Sequence, residues 1–255
     1  VETTEHLSAL ESAGRRFADV AGDADLDAPI PTCPGWTVRD LVWHLGEVHR
    51  WAGTHVAERR HERVRFPDGV SGPKPADDDL VAWYREGHAW LLATLRSADP
   101  DVDCWSFLPA PSPLAFWARR QAHETSIHRA DVEGAVGPVT PFDPAFAADG
   151  VDELLTGFFG ARPSRGASAA EEAAPIGTVH LRADDADRDW LMRISETRTQ
   201  TTCEAGEADC DVLATGSDLY LLVWNRRAED GLDVRGDGSL LDHWRRTAQI
   251  HWGGA

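Results

Sequence analysis

Apolar positions recur three and four residues apart through the first 160 residues and then alternate with a period near two, and this change of period divides the chain. Leu7, Leu10, Phe17 and Val20 predict a helix over 2–21, followed by a loop rich in Gly, Asp and Pro at 22–35. In "GWTVRDLVWHLGEVHRW", Thr37 with Asp40 three positions on forms an imperfect capping box. Val38, Leu41, Val42, Leu45 and Val48 then make one apolar stripe, so a second helix is expected at about 37–60. The acidic start "ADDD" opens a third helix over 77–98 with Leu80, Trp83, Trp90, Leu91 and Leu95 inward. Pro113 is acceptable in a first turn and begins a fourth at 113–136, and a shorter fifth spans roughly 143–160.

The stretch "ARPSRGASAAEEAAPIG" at 161–177 has almost no large apolar residue and reads as a linker. Beyond it, strands are expected at 178–184, 189–196, 198–204 and 232–236, with a helix capped by Ser217 and a last helix begun by Ser239. The expected fold class is therefore α+β. A helical bundle at 1–160 precedes a small α+β domain at 178–255.

With 25 basic against 43 acidic residues the net charge is -18, which repels a phosphate backbone and an anionic membrane alike. The longest apolar runs, "AWLLATL" and "LYLLVW", fall far short of the roughly 20 residues that span a bilayer, and residues 1–20 are charged throughout, unlike a signal peptide. A cytoplasmic protein without nucleic-acid or membrane partners is the expectation. Cys33, Cys104, Cys203 and Cys210 are scattered without a CxxC pair and read as reduced thiols.

The chemistry concentrates in "RRQAHETSIHRAD", residues 119–131. Positions four apart stack on a helix, so Glu124 and His128 share a face, with Gln121 and Asp131 near the same stripe, while His123 is expected to point outward. Carboxylate and neutral imidazole are ordinary zinc ligands. An isolated pair reads more readily as a hydrogen-bonded couple on a solvated face. His44, on the inward stripe of the second helix, changes this reading. If helices two and four are neighbours, His44, Glu124 and His128 converge in the bundle interior, where helical metal sites are built. Three protein ligands leave coordination positions open for water or a thiolate, and Asp131 is placed to orient His128. His49, His55 and His88 read as surface or packing residues, Cys33 as a loop thiol with no nearby histidine, and Arg119, Arg120 and Arg129 mostly as helix-surface charges.

"PTCPGWTVRDLVWHLGEVHRW" and "FWARRQAHETSIHRADVE" strongly resemble the mycothiol-dependent maleylpyruvate isomerase family, part of the wider DinB-like four-helix metalloproteins, and "ATGSDLYLLVWNRR" with "VRGD" resembles its smaller C-terminal domain. The resemblance implies that His44, Glu124 and His128 bind zinc or a similar divalent ion. It further implies that mycothiol, a sugar-linked cysteine, is the thiol cofactor. The activated thiol then either isomerises a small unsaturated acid, by adding to the double bond, permitting rotation and leaving, or stays attached as in an S-transferase. Arg226 is the implied cofactor contact, with thiol and substrate between the domains. Asn225 stands where the family usually has glycine. A non-catalytic binding or regulatory protein on the same scaffold, or a zinc hydrolase, are the alternatives.

Overall fold

The computed structural model describes residues 1–66, 70–160, 175–195 and 199–248. It divides into two compact units, Val1–Thr140 and Pro141–Ala255. The first contains four long helices, α1 (Thr3–Asp23), α2 (Val38–Ala57), α3 (Asp77–Ser97) and α4 (Pro113–Val136). At the start of α2 the capping box is complete. The Thr37 side chain accepts from the backbone of Asp40, whose carboxylate accepts from Thr37 N–H at 3.0 Å. Bonds from the Thr37 N–H and hydroxyl to the carboxylate hold the Asp40 carboxyl below its usual pKa.

Helix α4 packs against α1 and α2, while α3 packs against α2 and α1. The core gathers Phe17, Leu41, Leu45, Leu80, Tyr84 and Val132 from all four, each side chain contributing about 1.5–3 kcal/mol by leaving water. Trp90, expected inward, is 41% exposed. Its ring lies across Gly53 of α2, where a Cβ would come within 2.3 Å of it, so one face is covered and the other meets solvent. Trp83 is seated in the same way on Gly46.

The second unit begins earlier than the expected linker. It takes in α5 (Pro144–Asp152), which packs on α6 (Gly216–Val223), and a π-helical turn at Glu153–Phe158 that replaces the end of the single fifth helix expected. Most of the expected linker, 161–174, lies outside the described residues. Five strands, β1 (Pro175–Ala183), β2 (Arg188–Ser195), β3 (Thr199–Thr202), β4 (Cys210–Ala214) and β5 (Asp233–Gly236), form one sheet in the order β3-β2-β1-β4-β5. Among the described residues β1 and β4 pair in parallel and the other neighbours pair antiparallel.

Val179 and Leu181 of β1, Trp190 and Met192 of β2 and Cys210 and Val212 of β4 form the buried face. Against the sheet pack α6 and α7 (Gly238–Thr247). β4 was not expected from the sequence, because five residues of alternating burial in an acidic stretch acquire strand character only between two partners. The expected caps are also displaced. Thr215, not Ser217, accepts the capping bond from Asp218 N–H, and Asp237, rather than Ser239, caps α7.

No helix among the described residues is long and apolar enough to cross a membrane.

The seating of Trp83 on α2 leads to a stability test. Gly46→Ala would ordinarily gain roughly 1 kcal/mol of helix propensity, but the new Cβ would lie 2.1 Å from the Trp83 ring. Urea unfolding is expected to show a net loss of about 1–3 kcal/mol. Gly22→Ala, whose Cβ meets nothing closer than 3.9 Å, should be neutral or stabilising.

Candidate metal centre

Helix α4 is buried on nearly every side. A helix in that position has no solvated face, so its polar residues must find partners among its neighbours or on itself. Glu124, 7% exposed, shows how this is done. Arg120, one turn earlier and 2% exposed, donates from Nη2 to Glu124 Oε2 at 2.8 Å. The other oxygen, Oε1, lies 3.3 Å from His128 Nε2 and 3.6 Å from His44 Nε2 of α2. The rings of His44 and His128 stand nearly perpendicular, their centroids 5.2 Å apart.

One donor atom from each of His44, Glu124 and His128 lies within 4.8 Å of the others. The separation between His44 and Glu124 is too long for an ordinary hydrogen bond. Two donors bound at about 2.1 Å to a tetrahedral ion lie about 3.4 Å apart, and both measured edges fall close to that. Two imidazoles and one carboxylate oxygen, with Glu124 Oε2 reserved by Arg120, therefore fit a zinc-type ion with a position left open.

His128 is oriented from behind. Its Nδ1 donates to Asp131 Oδ2 at 2.8 Å, which turns Nε2 towards Glu124. His44 is held by ring contacts with Trp36 and Phe66, at centroid distances of 4.9 and 5.9 Å. Burial pulls the His44 pKa down, so this imidazole is a neutral donor near pH 7. For Glu124, burial alone would raise the pKa, yet the neighbouring imidazoles of His128 and His44 and the charge of Arg120 hold it well below the carboxylate range. Burial likewise opposes charge on His128, but Asp131 and Glu124 raise its pKa to about 9.

Several expected placements change. His123 is buried, not outward, and its ring lies 5.8 Å from that of His6 on α1. Arg120 and Arg129 are buried rather than on the surface, and Arg129 donates to the Thr140 carbonyl at 2.8 Å. Cys33 does have a histidine nearby. Its Sγ lies 3.5 Å from Asp131 Oδ2, and a donor atom from each of Cys33, Asp131 and His128 lies within 4.8 Å of the others.

His49, His55 and His88 are packing residues, bonded respectively to the Thr125 hydroxyl and to the carbonyls of Trp51 and Leu10. The Arg120–Glu124 pair had a sequence signal, the same four-residue spacing that links Glu124 to His128. The loop residues beside Asp131 had none, being about a hundred positions away in the chain.

In the second unit Arg226 follows α6, where its guanidinium donates to the Trp224 carbonyl at 2.8 Å. Asn225 takes the left-handed conformation, φ 58°, that glycine usually supplies after a helix. Its side chain exchanges hydrogen bonds with Arg245 at 3.2 and 3.1 Å, and Arg226 N–H still closes on the Leu221 carbonyl. Asparagine tolerates this backbone better than most residues, so the turn that carries Arg226 is kept.

The described residues thus form a helical bundle with a buried His/Glu/His donor set, followed in the chain by an α+β unit. The family description "Mycothiol maleylpyruvate isomerase N-terminal domain" matches residues 7–133, and "MDMPI C-terminal domain" matches 145–243. The chain belongs to the mycothiol maleylpyruvate isomerase family. Among solved structures, it is similar to a mycothiol-dependent maleylpyruvate isomerase at 15% identity and TM-score 0.62, with 92% of this chain and 93% of that one covered. A histidine-to-alanine mutant of a mycothiol-dependent maleylpyruvate isomerase gives 14% identity and TM-score 0.60 over the same shares. At such identity the likeness concerns the fold. No curated protein matches the chain by sequence.

The protonation of His128 sets a pH test. An ion must displace the proton that the metal-free chain holds up to about 9, so affinity for zinc should rise roughly tenfold per pH unit from neutrality towards that value, with proton release. Calorimetry in buffers of different ionisation enthalpy reads both, and a flat profile would contradict the assignment. The same raised pKa stabilises the metal-free fold fully below the ordinary imidazole value of 6.5. That contribution is lost as pH rises through about 9.

Proposed function

We propose that the chain is a divalent-metal-dependent enzyme that uses mycothiol as its thiol cofactor in a maleylpyruvate isomerase type of reaction. The observation that carries the reading is the convergence of His44, Glu124 and His128 on one point of the bundle interior. The family matches, together with the similar fold of mycothiol-dependent maleylpyruvate isomerases, support the thiol and the isomerase class.

In this reading His44 Nε2, Glu124 Oε1 and His128 Nε2 hold a zinc-type ion. When bound, such an ion supplies Lewis-acid stabilisation of thiolate over thiol at neutral pH. The chain's own groups do the rest. Asp131 keeps the Nδ1 proton of His128, so that Nε2 offers its lone pair in a fixed direction. Arg120 occupies Glu124 Oε2 and limits the carboxylate to one donor oxygen. Trp36 and Phe66 lay apolar rings edge-on against His44 and restrict the turning of its imidazole. Arg226 is the cation proposed to bind the thiol cofactor, on a turn that Asn225 closes in the left-handed conformation.

The test is an assay of cis-to-trans conversion of maleylpyruvate with and without mycothiol, before and after removal of metal by a chelator. Turnover should require both, with the thiol recovered unchanged. Thiol consumed one for one with substrate would indicate an S-transferase, and cleavage of the substrate by water into two fragments without thiol a hydrolase. His128→Ala is expected to lower kcat/KM on the order of a hundred-fold or more. Arg226→Ala should raise KM for mycothiol and leave metal content unchanged. A metal-free wild type with full turnover would overturn the reading.

A further inference from the structure

The loop before α2 is built as a closed arm. Cys33 N–H donates to the Ile30 carbonyl at 3.1 Å, Trp36 N–H to Cys33 at 3.0 Å, and Ile30 N–H to Trp36 at 2.9 Å. Pro29 and Thr37 form an antiparallel bridge at its base. Gly35, at φ 84°, makes the turn where an L side chain would be strained.

At its tip the Thr32 hydroxyl donates to Asp131 Oδ1 at 2.5 Å, while Oδ2 accepts from His128 Nδ1 at 2.8 Å. The other end of the loop carries Trp36, edge-on to His44. The arm thus reaches both histidines, one through a carboxylate and the other through ring contact.

We propose that residues 31–36 are a positioning arm for the metal centre, in which the Thr32 hydroxyl fixes the Asp131 carboxylate and, through it, the ring of His128. This rests on the assignment of His44, Glu124 and His128 as ligands. A carboxylate with one oxygen free can rotate about its Cβ–Cγ bond and present either oxygen to a donor. The Thr32 bond engages Oδ1, while Oδ2 accepts from His128 and lies 3.5 Å from the Cys33 thiol on the same arm. Its length is that of a charge-assisted O–H···O⁻ bond. Asp131 is fully buried, so solvent does not readily replace a missing donor. A bond that merely tied the loop to α4 would have no effect on the ligand field of an ion several ångströms away.

The experiment uses the full chain and Co(II) alone as probe. Thr32→Val exchanges the hydroxyl for a methyl group of the same shape, Thr32→Ser keeps the hydroxyl, and Thr32→Ala removes it without the bulk of valine. Visible absorption of bound Co(II) reports ligand geometry, chelator competition gives affinity, and circular dichroism confirms the fold. The valine and alanine variants are expected to bind Co(II) about ten-fold more weakly with a shifted spectrum, and serine to restore both.

If wild type takes up no Co(II), the ligand assignment falls and the arm with it. If wild type binds and the valine variant matches it in affinity and spectrum, the arm alone is overturned. Equal weakening by valine and serine would assign the effect to packing and would likewise overturn the hydroxyl's role.

Discussion

The arrangement of the first unit depends on one constraint, that Glu124 carries its carboxylate inside a helical bundle. An unpaired charge there would cost several kcal/mol. Arg120 balances the charge through one oxygen, and two imidazoles face the other. The two histidines differ in state, His44 made a neutral donor by desolvation and His128 kept protonated by its two carboxylate neighbours. An ion with two positive charges that replaces the His128 proton would meet donors already in place, which is the physical sense of a preorganised site.

Such a site requires α4 to be buried all round, and its neighbours meet that requirement one by one. α2 contributes His44 and also His49, whose Nε2 pairs with the Thr125 hydroxyl at 2.9 Å. α1 contributes Arg16, which donates to Glu133 at 2.8 Å, and the same Glu133 accepts from the backbone and hydroxyl of Thr140. The end of α4 is thereby pinned to the segment that follows it. With the three candidate donors carried by two packed helices rather than by loops, small errors in position are resisted by the whole core.

The second unit solves a different problem, how to bury one face of a mixed sheet with short strands. Two helices, α6 and α7, cover the face formed by β1, β2 and β4. The turn after α6 is closed by a non-glycine residue at positive φ. Asn225 adopts the left-handed conformation and ties its amide to Arg245, which fixes the turn that presents Arg226.

The sequence by itself determined the helices of the first unit closely, because their stripes, the Thr37–Asp40 box and Pro113 are local signals read within a few turns. It also brought out His44, Glu124 and His128, since two are one turn apart and the third lies on an inward stripe. It did not reveal β4, whose strand character comes from β1 and β5 on either side, nor the unit division at Thr140, which follows from α5 packing on α6 rather than from composition. His123 and Arg120 were misplaced because a helical wheel assumes a solvated face, and α4 has almost none. Thr32 and Cys33 meet Asp131 across about a hundred residues. Only the tertiary structure could bring them together, because such a contact depends on how a loop folds back over a helix and leaves no periodicity in the chain.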